Sequence, residues 1–256
     1  MPLIRTETRD RVTVVTLDDP GRRNAISLAM ADALTATFRE LEEAADPCPV
    51  IVTGVPPAFS AGADLSDLEN ATPESLRRIY EGFLAVARYP LPTIAAVNGP
   101  AVGAGLNLAL ACDLRVAGRA ARFESRFLDL CLHPGGGHTW MLREILGPQG
   151  AAAVVLLGEP LDGEAAVRRG LAWSCVEDER LMDEARRIAA RAAGADRQLL
   201  RRLKATLRAM GGVASHEEAV ERELEAQVWS LRQPAFRERL ADLQRRIAAK
   251  RSRGGS

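Results

Sequence analysis

Two loops rich in glycine and alanine bring the main chain itself into play as a chemical group: Phe59-Ser60-Ala61-Gly62-Ala63-Asp64-Leu65, and Val97-Asn98-Gly99-Pro100-Ala101-Val102-Gly103-Ala104-Gly105-Leu106-Asn107. Small residues let a backbone approach a ligand closely. A helix starting at Gly103 or Ala104 adds unsatisfied N–H groups and the positive end of its dipole to the same spot. Amides aimed at one carbonyl oxygen stabilise negative charge developing there without any titratable side chain.

Side chains able to move protons are sparse around these loops. Asn107, three residues beyond Ala104, orients water through its amide but does not take a proton at neutral pH. Phe127 does neither. Asp129 is the nearest candidate base: if Phe123 to Leu130 is extended, residues 125, 127 and 129 share one face and Glu124 points to the other, leaving a desolvated Asp129 beside Phe127 and Leu130. A surface aspartate paired with Arg126 or Arg122 is the other reading. His133 and His138 are two of the chain's three histidines, and histidine suits general-base work near neutrality. His138 equally suits the first turn of a helix, and His133 a hydrogen bond within its loop. Cys131 with these histidines lacks a fourth ligand at sensible spacing, so no metal is expected.

Gly103-Ala104-Gly105 opening a helix also invites a dinucleotide fingerprint, but Leu108 stands where its third glycine belongs. Together with Arg23-Asn24-Ala25, Ala111-Cys112-Asp113-Leu114-Arg115, Phe123 and Pro134-Gly135-Gly136-Gly137, the two loops instead resemble the crotonase (enoyl-CoA hydratase/isomerase) superfamily over most of residues 20 to 175. The resemblance implies an α/β fold with a ββα spiral core, an acyl-CoA thioester as partner, and an oxyanion hole made by the amides of Ala63 and Ala104. It further implies that Asp64, Leu65 and Ser66 line the pantetheine and adenine path with Ala25 and Ala61 nearby. Arg22 or Arg23 would meet the CoA phosphates. Gly135, whose amide helps hold the reacting water in hydratases, would border an acyl pocket with Phe127, and Trp140 would pack on the acyl chain or the core. Coenzyme A belongs to the substrate, and no metal or redox cofactor is implied.

The departure from that family lies at two acids, because its hydratases carry glutamates at the positions of Asn107 and Phe127. General acid–base assistance is worth ~10²–10⁴ in rate, so enoyl-CoA hydration is expected to be weakened or altered unless another group, Asp129 first, substitutes. Isomerisation or hydrolysis by the same hole, and a non-catalytic acyl-CoA carrier or sensor, are the alternatives.

Composition narrows the partners. Lys+Arg 34 against Asp+Glu 34 gives no net charge, so no overall field recruits nucleic acid or an anionic membrane. The four cysteines, Cys48, Cys112, Cys131 and Cys175, form no C-x-x-C pair and fit a reducing cytoplasm. The N-terminal residues lack a signal peptide's apolar stretch, and Asn107, Asp113 and Arg115 interrupt the longest apolar segment.

The elements that must position the loops are legible in outline. Arg11 to Leu17 reads as part of an opening hairpin, and Ser27 caps a helix with Met30, Leu34, Thr37, Phe38 and Leu41 on one face. Val50 to Thr53 is a buried strand delivering the first loop. Thr72-Pro73 starts a second helix carrying Leu76, Ile79, Phe83 and Val86, and Thr93 to Val97 is the strand delivering the second loop. Alternating strands and helices argue for ligand binding at strand ends. Residues 1–195 are expected to form this core, and 196–256 a helical region, broken near Gly211-Gly212 and Pro234. The family resemblance gives that region the contact of a homotrimer or a dimer of trimers, and a cover for the active site.

Overall fold

The computed structural model describes residues 2–253. In chain order the elements are β1 (Ile4–Arg9), β2 (Val12–Leu17), α1 (Leu28–Glu43), β3 (Val50–Gly54), α2 (Leu65–Glu69), α3 (Pro73–Arg88), β4 (Thr93–Val97), β5 (Pro100–Val102), α4 (Ala104–Ala111), β6 (Leu114–Gly118), β7 (Arg122–Glu124), α5 (His138–Leu156), β8 (Leu161–Asp162), α6 (Gly163–Arg168), β9 (Ser174–Val176), α7 (Leu181–Ala193), α8 (Arg197–Met210), α9 (His216–Leu231) and α10 (Pro234–Arg253). One sheet runs β1-β2-β3-β4-β6-β9, and a smaller one runs β5-β7-β8. β1 and β2 form the expected antiparallel hairpin, and the remaining neighbours in the large sheet pair in parallel.

Apolar runs explain the sheet's centre. Every residue of β3 and β4 is buried, as a parallel strand covered on both faces requires. Leu181, Ala185 and Ala189 of α7 cover one face, packing with Val12, Ile51, Ile94 and Val116. Helices α1 and α3 pack closely where a Cβ on Gly82 would meet the Ala31 Cα at 2.8 Å, so the crossing is set by two small residues. Ser27 caps α1 by accepting from the Met30 amide, and Thr72 and Ser75 form a capping box on α3.

β3 and β4 are adjacent and parallel, so their C-terminal ends deliver both glycine loops to the same edge of the sheet. The segment after β7 differs from the expectation. Extended structure ends at Glu124, Arg126 is left-handed (φ 52), and Leu128–Leu130 form a 3₁₀ turn closed by a left-handed Cys131 (φ 49). Residues 125, 127 and 129 therefore do not share one strand face.

The chain divides into two compact units, Met1–Gly194 and Ala195–Ser256. The second contains α8, α9 and α10, with the Arg202 guanidinium 4.0 Å from the Trp229 ring centroid. Its apolar side chains Leu207, Leu224 and Leu243 are exposed. Among the described residues no helix is long and apolar enough to cross a membrane.

Candidate active site

Backbone hydrogen bonds fasten the two loops to each other. The Ser60 amide donates to the Pro100 carbonyl at 3.1 Å, and the Val102 amide donates to the Ser60 carbonyl at 3.0 Å. On the outer side of the first loop, the Ile26 amide donates to the Gly62 carbonyl at 2.7 Å and the Asp64 amide to the Ile26 carbonyl at 3.3 Å. Buried Asn24 braces the approach: its Nδ2 donates to the carbonyls of Val55 and Ala58, both at 2.8 Å, while its Oδ1 accepts from the Asp19 amide.

This knitting sets Ala63 and Ala104 on the wall of one cavity. Gly62 has φ 102, and a Cβ there would lie 2.9 Å from the Val102 carbonyl oxygen and 3.9 Å from the Ala104 amide nitrogen. Gly103 has φ 49 and precedes α4, so a side chain is excluded from both turns by conformation. Ala104 begins α4 and its amide is one of the helix's orphan donors. Among the described contacts neither the Ala63 nor the Ala104 amide donates to a protein acceptor. Both residues line one cavity of about 210 Å³.

That cavity is mostly apolar. Ala61, Gly62, Leu65, Leu76, Tyr80, Asn107, Ser125, Phe127, His133 and Gly135 also line it, and it has no aspartate or glutamate on its walls. A larger adjoining cavity of about 780 Å³ shares Ala61, Ala63 and Leu65 and is lined in addition by Arg22, Arg23, Ala25 and Asp64. The hydroxyl and amide of Ser66 both bond to the Asp64 carboxylate and, with Arg22 at 3.6 Å, hold it below the usual carboxylate range. Asp64 caps α2 by accepting from the Ser66 amide, and Ser66 lines neither cavity, contrary to the expectation.

Asn107 is buried on α4 and directed at the loop that opens α5. Its Nδ2 donates to the Gly135 carbonyl at 3.0 Å, and its Oδ1 lies 2.6 Å from His138 Nδ1. His138 is fully enclosed, with Nε2 2.9 Å from Ser125 Oγ and its ring edge against Phe127 at a centroid distance of 4.9 Å. Burial pushes its pKa down to about 4, so the imidazole is neutral at physiological pH. A carbonyl can only accept, which fixes the rest: Nδ2 faces Gly135, Oδ1 faces His138, Nδ1 carries the ring proton, and Nε2 accepts from the Ser125 hydroxyl.

Two expected residues stand elsewhere. Asp129 sits exposed on the 3₁₀ turn and lines the adjoining larger cavity, not the one that both Ala63 and Ala104 line, because the chain coils after Arg126 instead of continuing as a strand. Trp140 is 68% exposed on α5 and packs neither in the core nor on the cavity, since the helix presents His138 and Leu142 inward instead. His133 lines the cavity with Nδ1 2.7 Å from the Pro134 carbonyl, which leaves Nε2 as its acceptor in the neutral ring. Among the described residues no three His, Cys, Asp or Glu side chains converge as a metal site.

Ser125 was invisible to motif reasoning. It lies 13 residues before His138 and 18 after Asn107, separations with no local period, and only the turn after β7 brings the three together.

Residues 7–239 match the family model described as enoyl-CoA hydratase/isomerase. A probable enoyl-CoA hydratase, EchA14, of Mycobacterium tuberculosis is 48% identical over 245 residues, covering 92% of this chain and 94% of that protein. The 1,2-epoxyphenylacetyl-CoA isomerase of Escherichia coli is 35% identical over 74% of this chain and 75% of its own length. The crystal structure of an enoyl-CoA hydratase from Bacillus anthracis superposes with a TM-score of 0.90 at 27% identity, covering 95% of this chain and 96% of that one.

Proposed function

This chain belongs to the enoyl-CoA hydratase/isomerase family, and we propose that it binds an acyl-CoA thioester with the carbonyl oxygen between the Ala63 and Ala104 amides. The observation that carries this is two main-chain donors without protein acceptors on the wall of one apolar cavity. Negative charge developing on the thioester oxygen is stabilised there by groups that need no reorganisation. Apolar Leu76 and Phe127 accommodate the acyl chain, while the adjoining cavity with Arg22 and Arg23 accommodates the nucleotide end of CoA.

Within that role, hydration of 2-enoyl-CoA is weak. Asn107 is committed to His138 and Gly135, Phe127 carries no proton, and no carboxylate lines the cavity. Losing acid–base assistance forfeits ~10²–10⁴ in rate. His133 Nε2 is the acceptor best situated to take a proton at the cavity wall. The protein works in the cytoplasm as a homotrimer or a dimer of trimers, with residues 196–256 supplying apolar contacts such as Leu207 and Leu243.

Calorimetry with enoyl-CoAs of several chain lengths, paired with loss of the conjugated thioester absorbance, tests both parts. Saturable binding with slow absorbance loss is expected. Absence of binding at every chain length contradicts the proposal, and rapid hydration contradicts its weakened chemistry.

A further inference from the structure

The Ser125, His138 and Asn107 side chains form a continuous hydrogen-bonded row, and the Gly135 carbonyl, which can only accept, assigns its protons. Ser125 Oγ is 2.9 Å from His138 Nε2, His138 Nδ1 is 2.6 Å from Asn107 Oδ1, and Asn107 Nδ2 is 3.0 Å from the Gly135 carbonyl oxygen. A hydroxyl donating to an imidazole that a third group orients is the arrangement of an activated nucleophile. An amide in place of a carboxylate normally defeats such a row, because its NH₂ faces the ring and imposes the wrong tautomer. Here the Gly135 carbonyl holds the NH₂ on the far side, so Nε2 keeps its lone pair toward Ser125.

The surroundings suit the same chemistry. Ser125 lines the cavity that Ala63 and Ala104 line, which places a nucleophile and two free amide donors on one apolar space. Phe127 packs against the buried imidazole on the cavity side and holds it in place. The residue after Ser125, Arg126, is held at φ 52 with its side chain on Glu124, a left-handed turn that a non-glycine residue keeps only where its surroundings enforce it. Enoyl hydration leaves this row without a task.

Resting on the proposed function above, we propose that Ser125 is a nucleophile activated by His138 and Asn107, and that the chain hydrolyses acyl-CoA thioesters through an acyl-serine intermediate. Ser125 Oγ forms a bond to the thioester carbonyl carbon as its proton passes to His138 Nε2, and the oxyanion rests on the Ala63 and Ala104 amides. Collapse breaks the C–S bond, and the CoA thiolate leaves with the proton from Nε2. Water then adds to the serine ester, giving its proton to Nε2. The carboxylic acid departs as Ser125 Oγ recovers that proton. One water is consumed, one CoA thiol and one carboxylic acid are formed, and no oxidant or reductant enters.

Saturated acyl-CoAs of short, medium and long chain are the probes, since they offer no double bond to hydrate. The wild-type chain is expected to release CoA thiol, measured with a disulfide dye, and on rapid acid quench to carry an acyl mass on the peptide containing Ser125. Ser125→Ala should lower thiol release by at least ~10²-fold and abolish the adduct while calorimetry still detects acyl-CoA binding. Ser125→Cys should restore the adduct. Acyl-CoA binding by the wild type with neither thiol release nor adduct overturns the nucleophile and leaves the thioester-binding reading standing. Unchanged release in Ser125→Ala overturns it likewise. If Ser125→Ala does not fold, the quench on the wild type decides alone. No acyl-CoA binding by the wild type removes the underlying reading and this proposal with it.

Discussion

Asn107 Oδ1 and His138 Nδ1 face each other at 2.6 Å inside the protein, so the Asn107 side chain is turned onto a buried histidine. The contact ties α4, which carries the Ala104 amide, to the first residue of α5.

The neutral His138 makes stability depend on pH with a definite sign. Its folded pKa of about 4 lies below the unfolded value of 6.5, so the unfolded chain binds the proton first as pH falls. The contribution is complete above pH 6.5, is lost between about 6.5 and 4, and changes no further below that; it amounts to roughly 3 kcal/mol. Urea denaturation across this range should give a steeper pH dependence for the wild type than for His138→Gln. Parallel slopes in the two proteins would contradict it.

Replacing Ala104 by proline removes one proposed oxyanion donor at the first position of α4, where proline is tolerated. The circular dichroism spectrum should be retained while turnover of any thioester substrate falls by ~10²–10³. Wild-type rates in a folded Ala104→Pro protein would show that this amide has no catalytic part.

Asp129 is exposed and outside the cavity that holds the two amides. Turnover by Asp129→Asn is therefore expected within about twofold of wild type, the scale of a surface change. A loss comparable to removal of a general base would restore Asp129 to the chemistry.

Asn24 satisfies three backbone groups that shape the first loop. Removing it strands the Val55 and Ala58 carbonyls, and Asn24→Gly, which keeps the left-handed backbone (φ 58), should cost about 2–4 kcal/mol in equilibrium unfolding. Asn24→Ala should cost more, because alanine also bears the strain of that φ. Equal stability of wild type and Asn24→Gly would mean water replaces these bonds.

Much of the scaffold was legible in sequence because its signals are local. Ser27 and Thr72-Pro73 mark helix starts through chemistry within one turn, and the apolar runs Val50–Thr53 and Thr93–Val97 are too continuous for exposed strands. The close packing of the two glycine loops was legible for the same reason, since small residues in series let backbones approach each other. The stretch from Ser125 to Cys131 was not. Arg126 and Cys131 adopt left-handed conformations that their residue types do not announce, and one such turn moved Asp129 off the cavity holding the two amides. His138 presented the same difficulty: its role depends on Asn107 and Ser125, partners distant in sequence whose approach is set by tertiary packing.

In the proposed function, the Ala63 and Ala104 amides hold one thioester carbonyl. Infrared difference spectroscopy of an acyl-CoA labelled with ¹³C at the thioester carbon reads that carbonyl directly. On binding, its stretch should move to lower frequency than in water, and Ala104→Pro should reverse much of the shift. A bound thioester whose carbonyl frequency matches that in water, or is untouched by Ala104→Pro, would contradict a carbonyl held by these two amides.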